Sequence, residues 1–177
     1  MSSSVQTPPA FALPATLLLQ GFALRPETDA DIPFLIALFA STRHEELAQV
    51  DWTAEQKRQF LAMQFDAQRR HYRTTIDNCA FDVLAHRGAA MGRLYLETRP
   101  TRLHVVDISL MPDWRGQGIG TAILEALIAE GRASGRGVGI FVEKFNPALK
   151  LYQRLGFEEV EDSGVYLEME WAARRLS

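Results

Sequence analysis

Met111-Pro-Asp-Trp-Arg-Gly-Gln-Gly-Ile-Gly-Thr121 is the stretch that decides how this chain is read. Alternating apolar residues run up to Met111, and Gly116, Gly118 and Gly120 follow. Ile123, Leu124, Leu127 and Ile128 then repeat at helical spacing. The order is strand, glycine turn, helix. Glycines let a backbone approach a ligand closely and adopt dihedrals closed to other residues. Free amides at a helix start, with the positive end of the dipole, suit an anion such as a pyrophosphate. On residues alone the run reads equally as a glycine-rich turn with no ligand. Two nucleotide motifs are excluded. The helix start lacks the Gly-Lys-Ser/Thr ending of a P-loop, so no lysine is set for a terminal phosphate. The glycines are spaced G-x-G-x-G rather than G-x-G-x-x-G, and the strand before them belongs to a meander and not to a βαβ crossover.

Working outward, the meander comes first. Phe81, Val83 and Ala85 alternate with Asp82, Leu84 and His86, and Arg87-Gly88 can turn the chain. Residues 91–97 and 103–111 read as two further strands parted by Arg99-Pro100, with their acidic positions facing solvent. Upstream, residues 22–29 read as strand, break and helix start, with Thr28 or Asp29 as cap. Ile32, Leu35, Ile36 and Phe39 give a helix to about Ala40, and residues 52–72 a second one capped by Thr53. Downstream, residues 138–142 form a short apolar strand. Asn146-Pro147 starts a helix with Ala148, Leu151, Tyr152 and Leu155 on one face, ended by Gly156. Residues 157–161 and 165–171 close as a hairpin. The fold class is α+β. With no repeat or linker, residues 15–177 read as a single domain behind a tail of residues 1–14, and residues 17–24 as its first strand.

Composition narrows the function classes. The chain has 177 residues, 47% hydrophobic and 23% charged, enough apolar material for one core. Nineteen Lys and Arg against 22 Asp and Glu give a net charge of -3. That disfavours bulk attraction to nucleic acid or anionic membrane. Cys79 is the single cysteine, so no intramolecular disulfide forms, and no Cys/His set has zinc-ligand spacing. His44-Glu45-Glu46 opens like a zincin motif, but Ala48 stands where the second histidine belongs. No metal is expected. No Lys or Arg precedes Arg25, and Pro8, Pro9 and Pro14 interrupt the apolar run, which points away from a signal peptide and toward a cytoplasmic protein.

Arg115-Gly-Gln-Gly-Ile-Gly120 resembles the acyl-CoA signature of the GNAT superfamily of N-acetyltransferases, Gln/Arg-x-x-Gly-x-Gly/Ala, at every defined position. Ile108-Ser-Leu-Met-Pro112 is similar to that family's fourth strand and its proline exit. Asn146-Pro-Ala-Leu-Lys-Leu-Tyr-Gln-Arg-Leu-Gly-Phe157 resembles its late Asn…Tyr…Gly-Phe motif, and Leu24-Arg-Pro-Glu-Thr-Asp29 a common opening. The resemblance implies a mixed, mostly antiparallel central sheet flanked by helices. It implies acetyl-CoA as co-substrate and a primary amine, on a small molecule or a protein, as acceptor.

The resemblance also assigns roles. Amides of Arg115, Gly116, Gln117, Gly118, Ile119 and Gly120 would hold the CoA pyrophosphate, with Thr121 at the helix start. Leu110 and Met111 would meet the pantetheine arm, with the Leu110 amide also a candidate donor to an oxyanion. Asn146 would touch the cofactor near that arm. Tyr152 is the expected general acid for the departing thiolate, although its stripe position reads equally as core. His104 is the first candidate base, and a solvent-facing edge histidine is the plain alternative. Asp107 is out of phase with His104 by strand alternation, so the pair is not expected to share a cleft. Glu143 is a second option for the base. By position, Trp52, Tyr72 and Phe81 are candidates to wall the acceptor pocket. Glu97, Asp107, Glu168 and Glu170 would favour a cationic amine. Arg69-Arg-His-Tyr-Arg73 is a local basic cluster that reads as a solvated helix end, with an acidic substrate or the CoA phosphates as the alternative partner, and Cys79 reads as a passive thiol. The lack of a placed nucleophilic cysteine favours direct attack in a ternary complex. A CoA-binding or regulatory domain without catalysis is the competing reading, and a homodimer through the late strand is left open.

Overall fold

The computed structural model describes residues 11–164 and 166–173. Helix α1 (Ala15–Leu19) precedes strand β1 (Phe22–Pro26), and helices α2 (Ile32–Ala48) and α3 (Ala54–Thr75) follow. Strands β2 (Cys79–His86), β3 (Ala89–Thr98) and β4 (Arg102–Leu110) form the meander. Helix α4 (Ile119–Ser134), strand β5 (Gly137–Glu143), helix α5 (Leu149–Arg154) and strands β6 (Glu158–Asp162) and β7 (Tyr166–Trp171) complete the order. The seven strands lie in the order β1-β2-β3-β4-β5-β7-β6, and β4 with β5 is the parallel pair in an otherwise antiparallel ladder.

The first apolar run departs from its expected form. Pro14 stands as N-cap to α1 and Gly21 turns the chain at φ +90°, so residues 17–19 are helical and β1 starts at Phe22. Leu13 and Leu17 are buried in the main core with Phe11 packed against it. Residues 11–14 are therefore not part of a tail; residues 1–10 lie outside the described residues.

Both faces of the sheet are covered, each by its own core. Ile123, Leu124 and Leu127 of α4 pack with Leu94, Val105, Val138 and Ile140 on one face. Leu35 and Phe39 of α2 and Leu61 and Phe65 of α3 pack with Val83 on the other. Helix α2 outruns its expected end at Ala40 because Leu47 extends its buried side. Thr53 caps α3 as expected: its hydroxyl accepts from the Gln56 amide at 3.1 Å, and the Gln56 side chain returns the bond. Two-sided cover also corrects the solvent-facing reading of the meander. Asp82 is buried alongside Val83 and Leu84, and burial, with Glu27 nearby, pushes its carboxyl up. Among the described residues no helix is long and apolar enough to cross a membrane.

Candidate active site

Strands β4 and β5 pair only where residues 102–105 face residues 137–140, and beyond Val105 they part. The parting begins at a bulge. Leu96 of β3 pairs with Val105, but the next residue, Tyr95, pairs with Asp107, leaving Val106 as the extra residue. Main-chain and side-chain consequences follow. The Met111 amide donates to the Met91 carbonyl at 2.8 Å, so ladder alternation turns the N–H and C=O groups of Ile108 and Leu110 away from β3 and into the gap. There the Leu110 carbonyl accepts from Arg115 Nε at 2.9 Å. The bulge also resets the side-chain phase, so His104 and Asp107 share one face and both line the same cleft. The alternation expected over this strand is thereby corrected.

The glycine run closes the upper end of the gap. After a single turn at Pro112–Trp114, Gly116 and Gly118 take φ +73° and +82°, left-handed values that glycine alone adopts without strain. Gly118 is the N-cap of α4, and the first helical bond runs from the Ala122 amide to its carbonyl at 3.0 Å. The amides of residues 118–121 thus stay outside the helical ladder. A Cβ at Gly116, Gly118 or Gly120 would meet nothing within 4 Å, so the backbone here faces open space. Ile119 itself is buried in the core, anchoring the helix start beneath those amides. A main-chain cradle with free amides and an open strand edge beside it fits a phosphate group joined to an extended amide-bearing arm, the form of CoA.

A cleft of about 730 Å³ runs from this gap, where Ile108, Val142, Asn146 and Tyr152 line it, to a wall made by α2 and α3. Asn146 turns the chain into α5 by accepting the Ala148 amide at 2.9 Å. Tyr152 is both core and site: it belongs to the main core, yet lines the cleft. Burial, with the Asp107 charge adding to it, pushes its phenol up to about 12, so it stays protonated. Asp107 is held in place by Ser109 Oγ donating at 2.6 Å and Arg93 Nη2 donating at 2.7 Å. Glu143, at the end of β5, accepts from Arg43 of α2 at 3.2 Å across the cleft.

His104 departs from the solvent-facing alternative. It is 1% exposed, lies against the Phe141 ring at 4.7 Å, and both ring nitrogens are buried without a partner. Burial first, then Arg99 and Arg102, lower its pKa to about 4. The imidazole is neutral near pH 7, and although His104 lines the cleft, both of its ring nitrogens are enclosed.

Residues 77–159 match the model of the acetyltransferase (GNAT) domain family. Over that stretch, just under half of the chain, the protein is similar to the GNAT domain. An N-alpha-acetyltransferase of Sulfurisphaera tokodaii is 35% identical over 69 residues, 37% of this chain. The aligned part spans 41% of that relative's length. Among solved structures, the PaiA N-acetyltransferase of Thermoplasma acidophilum in complex with coenzyme A has a TM-score of 0.62 at 15% identity, covering 85% of this chain and 98% of that one. The ribosomal-protein-S18-alanine N-acetyltransferase of Escherichia coli has a TM-score of 0.57 at 18% identity, covering 88% and 96%. At such identities these likenesses show the shared fold.

The structure brings together most of the residues singled out by sequence and separates others. Tyr72 lines the cleft, but Trp52 packs on Phe60 away from it, and Phe81 lies against Tyr95 and under the Arg73 guanidinium. The helix end is solvated at Arg70, His71 and Arg73, as expected, but Arg69 and Arg73 also turn inward. Both bond Glu27, whose side chain is 1% exposed and which also accepts from Tyr95 Oη. This clamp ties the end of α3, with Tyr72, to the sheet. Glu168 and Glu170 are engaged by Arg102 at 2.9 and 3.3 Å. Burial raises the Cys79 thiol to about 12, consistent with a passive role. Among the described residues no group of three His, Cys, Asp or Glu is placed to hold a metal ion, and His44 and Glu46 lie on α2 without such a set. Arg43, Arg93 and Gln68 are cleft residues that sequence reasoning missed, since lone polar residues on α2, β3 and α3 carry no motif.

Proposed function

We propose that the protein is an N-acetyltransferase that moves acetyl from acetyl-CoA to a primary amine by direct attack in a ternary complex. One observation carries the reading: a single cleft joins the open β4 edge at Ile108 and Ser109, the residues leading to the glycine cradle, to Tyr152 and Asp107. Bound there, acetyl-CoA supplies a thioester carbonyl for the amine and a thiolate leaving group.

The amides of residues 116–121 hold the pyrophosphate, the Leu110 edge the arm, and Asn146 its near end; Met111 and Arg115, expected to take part, have their amides bound to the Met91 and Pro112 carbonyls instead. The Leu110 N–H, fixed by the strand, donates to the carbonyl oxygen as charge builds on it, at no cost of reorganisation. Tyr152 gives its phenolic proton to the departing sulfur and regains one from solvent. His104 was the leading base by sequence, but Asp107 suits the task better. It is accessible from the cleft, lies near Tyr152, and as a carboxylate holds the substrate ammonium while its proton passes to solvent. Glu143 is bound to Arg43 and serves less directly.

Calorimetric binding of acetyl-CoA, followed by thiol release across an amine panel, tests the reading. Release with at least one amine is expected, and absence of acetyl-CoA binding overturns it. The pairing of every cleft carboxylate with an arginine favours a second reading, CoA binding without catalysis. Tight binding with no thiol release on any amine would select it.

A further inference from the structure

The acceptor end of the cleft has an unusual charge pattern. Its three carboxylates, Glu97, Asp107 and Glu143, each sit against an arginine: Arg99 at 2.9 Å, Arg93 at 2.7 Å and Arg43 at 3.2 Å. The set is neutral overall, so it offers no field to gather a polycation. The acidic residues that suggested a cationic amine are already matched.

Hydrogen-bond valence is not matched. Arg93 is 3% exposed, yet among the described residues it donates only through Nη2, to Asp107 and to Gln68 Oε1 at 3.0 Å. Arg43 donates only through Nη1, to Glu143 and, at 3.5 Å, to Glu46. The Nε atoms of both are buried without a partner. Buried guanidinium donors without acceptors are costly, and their natural complement is a carboxylate. The cleft therefore has surplus donors on two arginines and one carboxylate, Asp107, facing the acid Tyr152 region.

An ion pair with a free side on each member is complementary to a second pair laid head to tail. From this we infer that the acceptor is a zwitterion of the α-amino-acid class, a primary amine with a carboxylate on the adjacent carbon. Its ammonium lies on Asp107 and its carboxylate on Arg93 and Arg43. The inference rests on the transferase reading and names the acceptor for that same site. Phe39, Tyr72, Ile76 and Val106 leave apolar and aromatic wall for the side chain.

The test uses the full chain with acetyl-CoA and two matched series: leucine, leucinamide and isopentylamine; phenylalanine, phenylalaninamide and phenethylamine. Spermidine serves as the polycation. Thiol release should show kcat/KM at least tenfold higher for the amino acid than for its amide or decarboxylated partner. Arg43→Gln should shrink that ratio through KM, and Arg43→Lys should retain more of it. Equal or better rates with the uncharged-end amines or spermidine overturn the inference while leaving acetyl transfer intact. If no amine is acetylated, calorimetric titration of the same series into CoA-saturated protein decides. Preferential binding of the amino acid upholds the inference against the failed catalytic reading, and equal or no binding overturns it.

Discussion

Replacing Gly118 and Gly120 by alanine, one at a time, separates the backbone's needs from the cofactor's. Gly118 holds φ +82° at the N-cap of α4, and an added Cβ meets nothing within 4 Å, so the cost to the free protein is backbone strain alone. That strain is about 1–2 kcal/mol for an alanine in the left-handed region. For a chain of this size each kcal/mol moves Tm by about 2–4 °C, so Gly118→Ala should melt about 2–8 °C lower. Gly120 lies inside α4, has no positive φ, and its Cβ would also meet open space. Alanine is favoured there by about 0.5–1 kcal/mol, so Gly120→Ala should melt slightly higher than wild type. The ligand reverses nothing at Gly120, where the family pattern accepts alanine. At Gly118 a methyl group would stand among the amides proposed to hold the pyrophosphate. Losing one or two charge-assisted bonds of about 1.5–3 kcal/mol each would weaken CoA binding by about tenfold or more. Calorimetry measures both quantities, by thermal scan and by titration with CoA. A Gly118→Ala protein that melts as wild type does would refute the left-handed turn. One that melts lower but binds CoA with unchanged affinity would refute the cradle.

Three other outcomes are expected. Tyr152→Phe keeps the ring packing on Phe157 but removes the acid, so kcat should fall about 10²-fold or more while CoA affinity stays within threefold. His104, held near pKa 4 when folded against an ordinary 6.5, binds its proton in the unfolded chain first, so stability is full above pH 6.5 and is lost as pH falls toward 4. The loss is about 2–3 kcal/mol, and urea unfolding of His104→Leu at pH 4.5 and 7.5 should show a smaller drop than wild type. Glu27→Ala removes the acceptor shared by Arg69, Arg73 and Tyr95; because both arginines reach solvent, it should cost about 1.5–3 kcal/mol, read from the urea midpoint, and a shift under a third of that would mean the clamp is idle.

What was legible in the chain was what local chemistry fixes. Glycine spacing after a strand, the Thr53 cap and the helical stripe at Ile123 and Leu127 each carry their own signal and stand as read. The Asn146-Pro147 start is displaced: Asn146 makes the turn, and Ala148, not Asn146, is the N-cap of α5. Where tertiary cover decided the outcome, the residues were silent. The apolar run at residues 15–19 leads directly toward Phe22, so apolar character alone merges it with β1, whereas Pro14 and Gly21 bound it as a helix that seals the core with Leu13. Arg69 and Arg73 look like surface charge until Glu27, more than forty residues earlier, is found folded beneath them. Their purpose depends on a contact that no periodicity encodes.

The site's polarity turns on a single residue that strand alternation has no means of detecting. A regular β4 would put His104 and Asp107 on opposite faces, and a histidine facing the cleft would be the natural base. The bulge at Val106 adds one residue to β4 against an unbroken β3, so both side chains reach the same face. They reach it in different surroundings. His104 still lies within the paired part of β4, over Gly139, with its nitrogens shut in between Arg102 and Phe141. Asp107 comes just past the point where β5 departs, and so opens into the gap beside Tyr152. The same extra residue that releases Leu110's amide from the neighbouring strand therefore also sets a carboxylate, rather than an imidazole, at the open part of the cleft. In the proposed reaction, the edge for the cofactor and the group for the acceptor are both set by this one local insertion.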